Sequence, residues 1–415
     1  MTRPTRHGRR LWLAAAPGLA LVLFVTALGF GAVALDPPAR STLDGRSLQS
    51  YEPATVDSVR DGSWMRTTEA WLDDHVPGRQ RWLEAHASLS KGVLRQPVVN
   101  NVYVGDQDGF LLGKPAKLRL PTTFGDRAEQ LGKDVRATGT PILWVYAPRR
   151  EEVFDDKLPA AWQGGYTGTK PAYLKAIARG GPVLDLGPTL SDPATREANY
   201  WRTDHHWTPA GAIRAVDLVS QRLAGMGVRI GTDTRAYHTV TYPDFYGSLA
   251  REVTAGATRQ PDAFDVLQPD AWRARICRGS VCNKPTFVTK AAKAKDKYAN
   301  RYLAFMGGDS AYQRSVNPDP AARGTVLILK DSFGDAFSTY FSERVKTLIT
   351  IDERHYNKPE NIRDVVARVK PDVVIVMHNQ VSTLGNVSFD SQVWTDMDAV
   401  RARRAAKGSA AVGDG

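Results

Sequence analysis

Between Thr325 and Leu329 the chain runs Thr-Val-Leu-Ile-Leu, an unbroken apolar and β-branched stretch. Such a run reads as a strand buried on both faces. Lys330 to Gly334 then turns, and Asp335–Ser342 begins a helix. The pattern repeats around it. Pro141–Ala147, Thr347–Ile351 and Val373–Met377 read as buried strands, and Pro182–Leu186 as a short one. Helical spacing fills the gaps at Asp126–Thr138, Tyr173–Arg179 and Pro359–Val369. Strands alternating with helices predict an α/β domain built on a parallel sheet.

Elsewhere the periodicity changes. From Val59 to Leu94 the residues Trp64, Trp71, Leu72, Trp82, Leu83, Leu89 and Val93 recur at helical spacing, broken at Pro77-Gly78. This predicts two amphipathic helices, with the tryptophans packing into a core. Val98–Leu112 alternates and predicts a hairpin turning at Asp106-Gln107-Asp108-Gly109. A helix follows Pro209 and continues through Val216–Leu223 to a stop at Gly225–Gly231. Tyr237–Thr241 suggests a strand, and Asp244–Val253 a loop with a short helix. Arg259–Arg301 has no strong period. It is expected to be a peripheral insertion, with Lys290, Lys293, Lys295 and Lys297 on a solvated face or one that meets an anionic polymer.

Composition and charge then place the molecule. Arg3, Arg6, Arg9 and Arg10 precede Leu11–Leu35, which holds no charged residue. That length spans a bilayer core of roughly 30 Å, and the arginines favour a cytoplasmic N-terminus. The expectation is a single-pass signal-anchor in the cell membrane with the rest extracytoplasmic, although Ala32-Val33-Ala34 would also suit cleavage. The chain thus divides into a basic tail (1–10), the anchor (11–35), a linker with amphipathic helices (36–97) and the α/β domain (98–395). An insertion falls at about 255–300, and the Arg/Ala/Gly-rich tail at 396–415 is expected to be disordered. The net charge of +11 is scattered, without zinc-finger or RNP-like spacing, which argues against nucleic acid. Cys277 and Cys282, the two cysteines, most simply form one disulfide in an exported chain.

Candidate chemistry gathers at two places. A serine at the carboxyl end of a buried strand, before a helix, is where α/β folds expose a nucleophile, so Ser332 is a candidate. Capping of the helix would explain it as well. Serine needs a base, and the base needs an orienting group. Asp204 and His206 lie two apart in the loop before the Pro209 helix, so in extended backbone both side chains face one way. Helix capping or metal ligation would also fit Asp204-His205-His206, but a third clear metal ligand is missing. Asn379, after the Val373–Met377 strand, would share a sheet edge with Ser332. It could donate to an oxyanion together with the Ser332 backbone N–H. Gly307-Gly308-Asp309-Ser310 is a competing serine motif, placed after only a short apolar piece. The arrangement demands that His206 Nε2 approach Ser332 Oγ within about 4 Å.

Thr203-Asp204-His205-His206-Trp207-Thr208-Pro209-Ala210-Gly211, with Val102–Leu112 upstream and Val326–Phe337 downstream, resembles the SGNH-hydrolase-like family of the alginate O-acetyltransferase type, the DHHW-motif proteins. The resemblance covers roughly Val98–Thr383. It implies a three-layer α/β/α, flavodoxin-like fold in which the D-x-H-W motif precedes the serine strand, permuted relative to ordinary SGNH esterases. It further implies Ser332 as nucleophile, His206 as base and Asp204 as its orienter, with no cofactor. Met377 and Gln380 flank Asn379 where the family's block has Gly and Asp, and Lys330 stands where a small residue is commoner. The function implied is O-acetylation of a cell-envelope or secreted polysaccharide, with an integral-membrane acyl-transfer protein supplying acetyl groups. A carbohydrate acetyl esterase and a non-catalytic glycan-binding scaffold are the alternatives.

Overall fold

The computed structural model describes residues 39–386, apart from 106–107, 259 and 357–360, together with parts of a helix between 16 and 31. The basic tail, most of the anchor segment and the C-terminal tail lie outside the described residues. No helix among the described residues is long and apolar enough to cross a membrane.

Eight strands form the central sheet: β1 (Ile142–Tyr146), β2 (Val183–Asp185), β3 (Arg275–Arg278), β4 (Val281–Pro285), β5 (Tyr312–Val316), β6 (Thr325–Lys330), β7 (Thr347–Asp352) and β8 (Val373–His378). Their spatial order is β4-β3-β5-β7-β6-β8-β1-β2. From β7 to β2 every pairing is parallel, with Leu327 opposite both Ile349 and Val374. From β4 to β7 every pairing is antiparallel. The expected parallel sheet is therefore a mixed one. The signal was weak for a physical reason. Strands such as Arg-Ile-Cys-Arg and Tyr-Gln-Arg-Ser-Val lie toward one edge and bury fewer side chains than the central strands.

Helices cover both faces. Alternate residues of β6 point oppositely: Val326 and Ile328 into one apolar layer, Leu327 and Leu329 into the other. The first layer contains α3 (Pro209–Gly225) and α4 (Phe333–Phe341). The second contains α1 (Phe124–Arg136), α2 (Lys170–Ile177) and α5 (Ile362–Val369). Each fully buried Leu, Ile or Val contributes about 1.5–3 kcal/mol of transfer free energy, so the sheet centre fixes the frame. At β6 the chain order reverses, with β7 on one side and β8 on the other. In such sheets the crevice beyond the strands' carboxyl ends at this point is where ligands bind.

The remaining differences are local. The hairpin turns at Asn100-Asn101, both with positive φ, between Val98–Val99 and Val102–Tyr103. Asn tolerates that backbone, and the segment holding Asp108-Gly109 joins Val102–Tyr103 to the antiparallel Leu112–Gly113, so the expected turn is present as a second one. Helices run Ser63–His75 and Arg79–Ser88, divided at Pro77-Gly78 as expected, yet Trp82 is 54% exposed and so is not core. The stretch expected as a peripheral insertion contributes β3 and β4 at one edge of the sheet. The Cys277–Cys282 disulfide joins these two strands.

Candidate active site

Ser332 sits at the N-cap of α4, directly beyond the carboxyl end of β6. His206 Nε2 lies 2.9 Å from Ser332 Oγ, and His206 Nδ1 lies 2.7 Å from Asp204 Oδ1. An ionised Asp204 can only accept, so Nδ1 holds the ring proton and Nε2 is left to accept from the serine O–H. Asp204 is 2% exposed and His206 6%. Burial pushes the Asp204 carboxyl up, but the charge and hydrogen bonds of His206, with the charge of His205, hold it well below the usual carboxylate range. The loop supplying Asp204 and His206 enters α3 through Thr208, whose hydroxyl caps the helix at Gly211 N–H.

Side chains from distant segments hold this loop. Arg150, fully buried after β1, donates to the backbone carbonyls of Asp204 and Arg202. Asp262 accepts from the N–H and hydroxyl of Thr203. Ser248 N–H donates to Asp204 Oδ2 at 2.7 Å, and the Ser248 hydroxyl meets both the N–H and Nδ1 of His205. Position 247 must be glycine, because a Cβ there would stand 2.4 Å from Asp204 Cβ. Trp207 and Phe333 meet edge to face at 5.2 Å, which joins the loop to the first residue of α4.

Tyr302 closes the far side. Its ring stacks on His206 at 3.8 Å with planes 9° apart, and its hydroxyl donates to the Ser332 carbonyl at 3.1 Å. Burial raises its phenol well above the ordinary value, so it remains a neutral donor. Arg150, Ser248, Asp262 and Tyr302 were not foreseen. None lies in a motif, and the two charged ones become visible only as buried charges whose partners are far away in sequence.

Asn379 behaves differently from the expectation. Its side-chain amide donates to Asp331 Oδ2 at 2.7 Å and to Ser382 Oγ at 2.9 Å, while its backbone N–H also reaches Asp331 Oδ2. Asp331 Oδ1 in turn accepts from Phe333 N–H. Both amide hydrogens are engaged, so Asn379 tethers the serine turn to the end of β8 and offers no spare donor to an oxyanion. The Ser332 backbone N–H has no acceptor among the described residues.

Lys330, the other departure from the family pattern, points away from the serine. It is 2% exposed, with Nζ 2.5 Å from Asp335 and 3.4 Å from Asp309. Burial lowers its pKa less than Asp335, Asp309 and Asp352 raise it, and it stays charged. Its stem packs so closely on Gly334 that a Cβ there would meet it at 2.6 Å. The competing Ser310 hydroxyl is bonded to the Tyr312 carbonyl, and its neighbour Asp309 is held by Lys330 and Arg354.

Asp204, His205 and His206 bring ligand atoms close enough for a metal ion. However, both His206 nitrogens and His205 Nδ1 already have hydrogen-bond partners, and Asp204 serves two backbone N–H groups as well. A cation would have to dismantle that network, so the residues suit proton transfer better than metal ligation. Burial, then repulsion from His206, pushes His205 well below the ordinary histidine value, consistent with a neutral ring.

Residues 121–275 match the family model described as the SGNH hydrolase-like domain of acetyltransferase AlgX. The chain is 36% identical over 129 residues to the alginate biosynthesis protein AlgX of Pseudomonas aeruginosa, covering 28% of this chain and 27% of that relative. It therefore spans little more than a quarter of the curated relative it matches. A DHHW family protein from Eubacterium siraeum superposes with a TM-score of 0.54 at 19% identity, over 72% of this chain and 96% of that one. PatB1 from Bacillus cereus, solved with a sulfonyl adduct, gives 0.56 at 15% identity, over 68% and 95%. Residues 121–275 are thus similar to the SGNH hydrolase-like domain of AlgX, and the chain shares with the solved structures an α/β fold with a large mixed sheet.

Proposed function

We propose that the protein is a membrane-anchored, extracytoplasmic O-acetyltransferase that modifies a cell-envelope or secreted polysaccharide. The observation that carries this reading is the hydrogen-bonded series Ser332 Oγ, His206 Nε2, His206 Nδ1, Asp204 Oδ1, with separations of 2.9 Å and 2.7 Å.

In the proposed reaction Ser332 Oγ attacks the carbonyl carbon of an acetyl donor and passes its proton to His206 Nε2. Asp204 stabilises the imidazolium that forms. The oxyanion is received by the Ser332 N–H at the positive end of α4. Collapse expels the donor's leaving group, which takes the proton from His206 and leaves an acetyl ester on Ser332. A sugar hydroxyl then gives its proton to His206 and attacks that ester. Ser332 leaves with the proton, and the acetylated sugar is released. Water in place of the sugar would make the same site an esterase. Tyr302 fixes the ring plane of His206 throughout. An integral-membrane acyl-transfer protein would supply the acetyl groups, and the basic, uncharged-then-polar N-terminus supports export and anchoring.

The reading is tested with a chromogenic acetyl ester and an oligosaccharide acceptor, the products being weighed by mass spectrometry. Transfer predicts acetylated oligosaccharide at the expense of free acetate. Acetate release indifferent to the acceptor would make the protein an esterase. Undiminished polysaccharide acetylation in cells carrying Ser332→Ala would make it a scaffold.

A further inference from the structure

The helix Arg79–Ser88 and its continuation Leu89–Val93, one turn of wider π-helix, leave large apolar side chains in the open. Trp82, Leu89 and Val93 are 54%, 50% and 70% exposed. They recur at i, i+7 and i+11, the spacing of one helix face. The opposite face is already occupied. Ala87 and Ser90 are buried there, and Lys91 Nζ donates to the Ala257 carbonyl at 2.8 Å. The helix packs so closely on the segment Ser248–Ala257 that a Cβ at Gly256 would stand 2.1 Å from the Glu84 carbonyl oxygen. The outward stripe is therefore apolar surface beyond what holds this helix in place, and such surface marks a partner or a membrane. Arg81 and Arg95 flank it, both exposed and without an ion pair among the described residues.

We propose that the Trp82–Leu89–Val93 face lies in the headgroup layer of the outer leaflet, its apolar side chains at the acyl boundary and Arg81 and Arg95 on the phosphates of anionic phospholipid. The inference rests on the membrane-anchored reading of the chain. Gly31, in the helix described in parts between 16 and 31, lies against the turn before Arg79, where a Cβ on it would meet Pro77 Cγ at 2.7 Å. Gly31 is four residues from the end of the uncharged run Leu11–Leu35, about 6 Å along a helix. With that run spanning the bilayer, Pro77 stands at the outer interface. Trp82 Nε1 donates to the Pro77 carbonyl at 3.2 Å, which holds the indole at the same level, the depth where tryptophans gather. The path from this face to the chemistry is short. Ser248, at the start of the segment packed on the helix, donates its N–H to Asp204 Oδ2 and meets His205 Nδ1 with its hydroxyl. A docked helix thus sets the height and tilt of Ser332 and His206 above the membrane from which the proposed reaction draws its acetyl groups.

Both native cysteines are paired with each other, so Trp82→Cys, Leu89→Cys and Val93→Cys can each carry a single nitroxide label. The full chain is reconstituted in vesicles of phosphatidylcholine and phosphatidylglycerol, and collisions of the label with oxygen and with a water-soluble nickel complex are measured. At all three positions the ratio of oxygen to nickel collisions should exceed that of a label at the fully exposed Asp270 by about threefold or more. Leu89→Glu/Val93→Glu should return a label at position 82 to water, with Tm unchanged and hydrolysis of a small acetyl ester within about twofold of wild type. Labels as open to nickel as the one at Asp270, in a chain that alkaline carbonate does not strip from the vesicles, overturn the inference and leave the anchor standing. Labels shielded only in membranes that also hold a partner protein overturn it as well, the occupant then being protein. A chain that carbonate strips, but whose labels still enter the bilayer, leaves the docking face standing and removes the anchor.

Discussion

Two histidines among the described residues are buried against a carboxylate, and they have different surroundings. His206 pairs with Asp204 at 2.7 Å, and His378, the last residue of β8, lies 3.0 Å from Glu353. The second pair is the more deeply buried, with both side chains 2% exposed. Burial lowers the pKa of His378, but Glu353, Asp331 and Asp352 raise it further, so it is held above the ordinary value. What separates the pairs is where they sit. The loop position of His206 lets one nitrogen face the carboxylate and the other Ser332, at the crevice where the sheet order reverses. His378 is enclosed at the end of a central strand. A buried His–carboxylate pair is thus a charge arrangement in either place, and at His206 the far nitrogen also meets the Ser332 hydroxyl.

That contrast can be broken at several points. Ser332→Ala should lower acetyl-ester turnover by about 10⁴-fold or more with Tm nearly unchanged, since it removes the proposed nucleophile and no packing. Asp204→Asn should keep the fold but lower kcat by about 10³–10⁴-fold, because the amide no longer enforces the ring proton on Nδ1. Glu353→Gln should act on stability, costing about 1–3 kcal/mol by chemical denaturation, with turnover per folded molecule within threefold. The same pair sets a pH dependence. With its folded pKa raised, His378 adds stability that is complete below its unfolded value near 6.5 and is lost as pH climbs through the folded value. Unfolding free energy should therefore fall as pH rises above the unfolded value, and Glu353→Gln should flatten that slope. Asn379→Ala gives only a small change in rate. As a tether it should cost about 1–2 kcal/mol of stability and less than tenfold in kcat, whereas loss of an oxyanion donor would cost about 10²–10³-fold.

Much of the frame was legible. The apolar run Thr325–Leu329 became β6, the turn and helix after it became the serine N-cap and α4, and Asp204 with His206 on one side of a loop required only the two-residue spacing of extended backbone. Pro77-Gly78 divided the N-terminal helices as read. The antiparallel half of the sheet was missed because its strands, near an edge, need little continuous hydrophobicity. The strands flanking Asp108-Gly109 paired as read, while the tighter turn at Asn100-Asn101, both at positive φ, went unread. Asn379 was read by analogy with a motif whose flanking Gly and Asp are replaced here, and its amide went to Asp331 instead.

The order of apolar runs along the chain determined that an α/β sheet would form, and that a serine would emerge at its carboxyl edge. Those features depend on local periodicity and on the burial of side chains a few residues apart. Only the folded chain decided that His206 would meet that serine, that Tyr302 would clamp both, and that Arg150, Ser248 and Asp262 would hold the loop in place. These contacts join residues dozens to more than a hundred positions apart, and no local pattern encodes which distant side chain will fill a given gap.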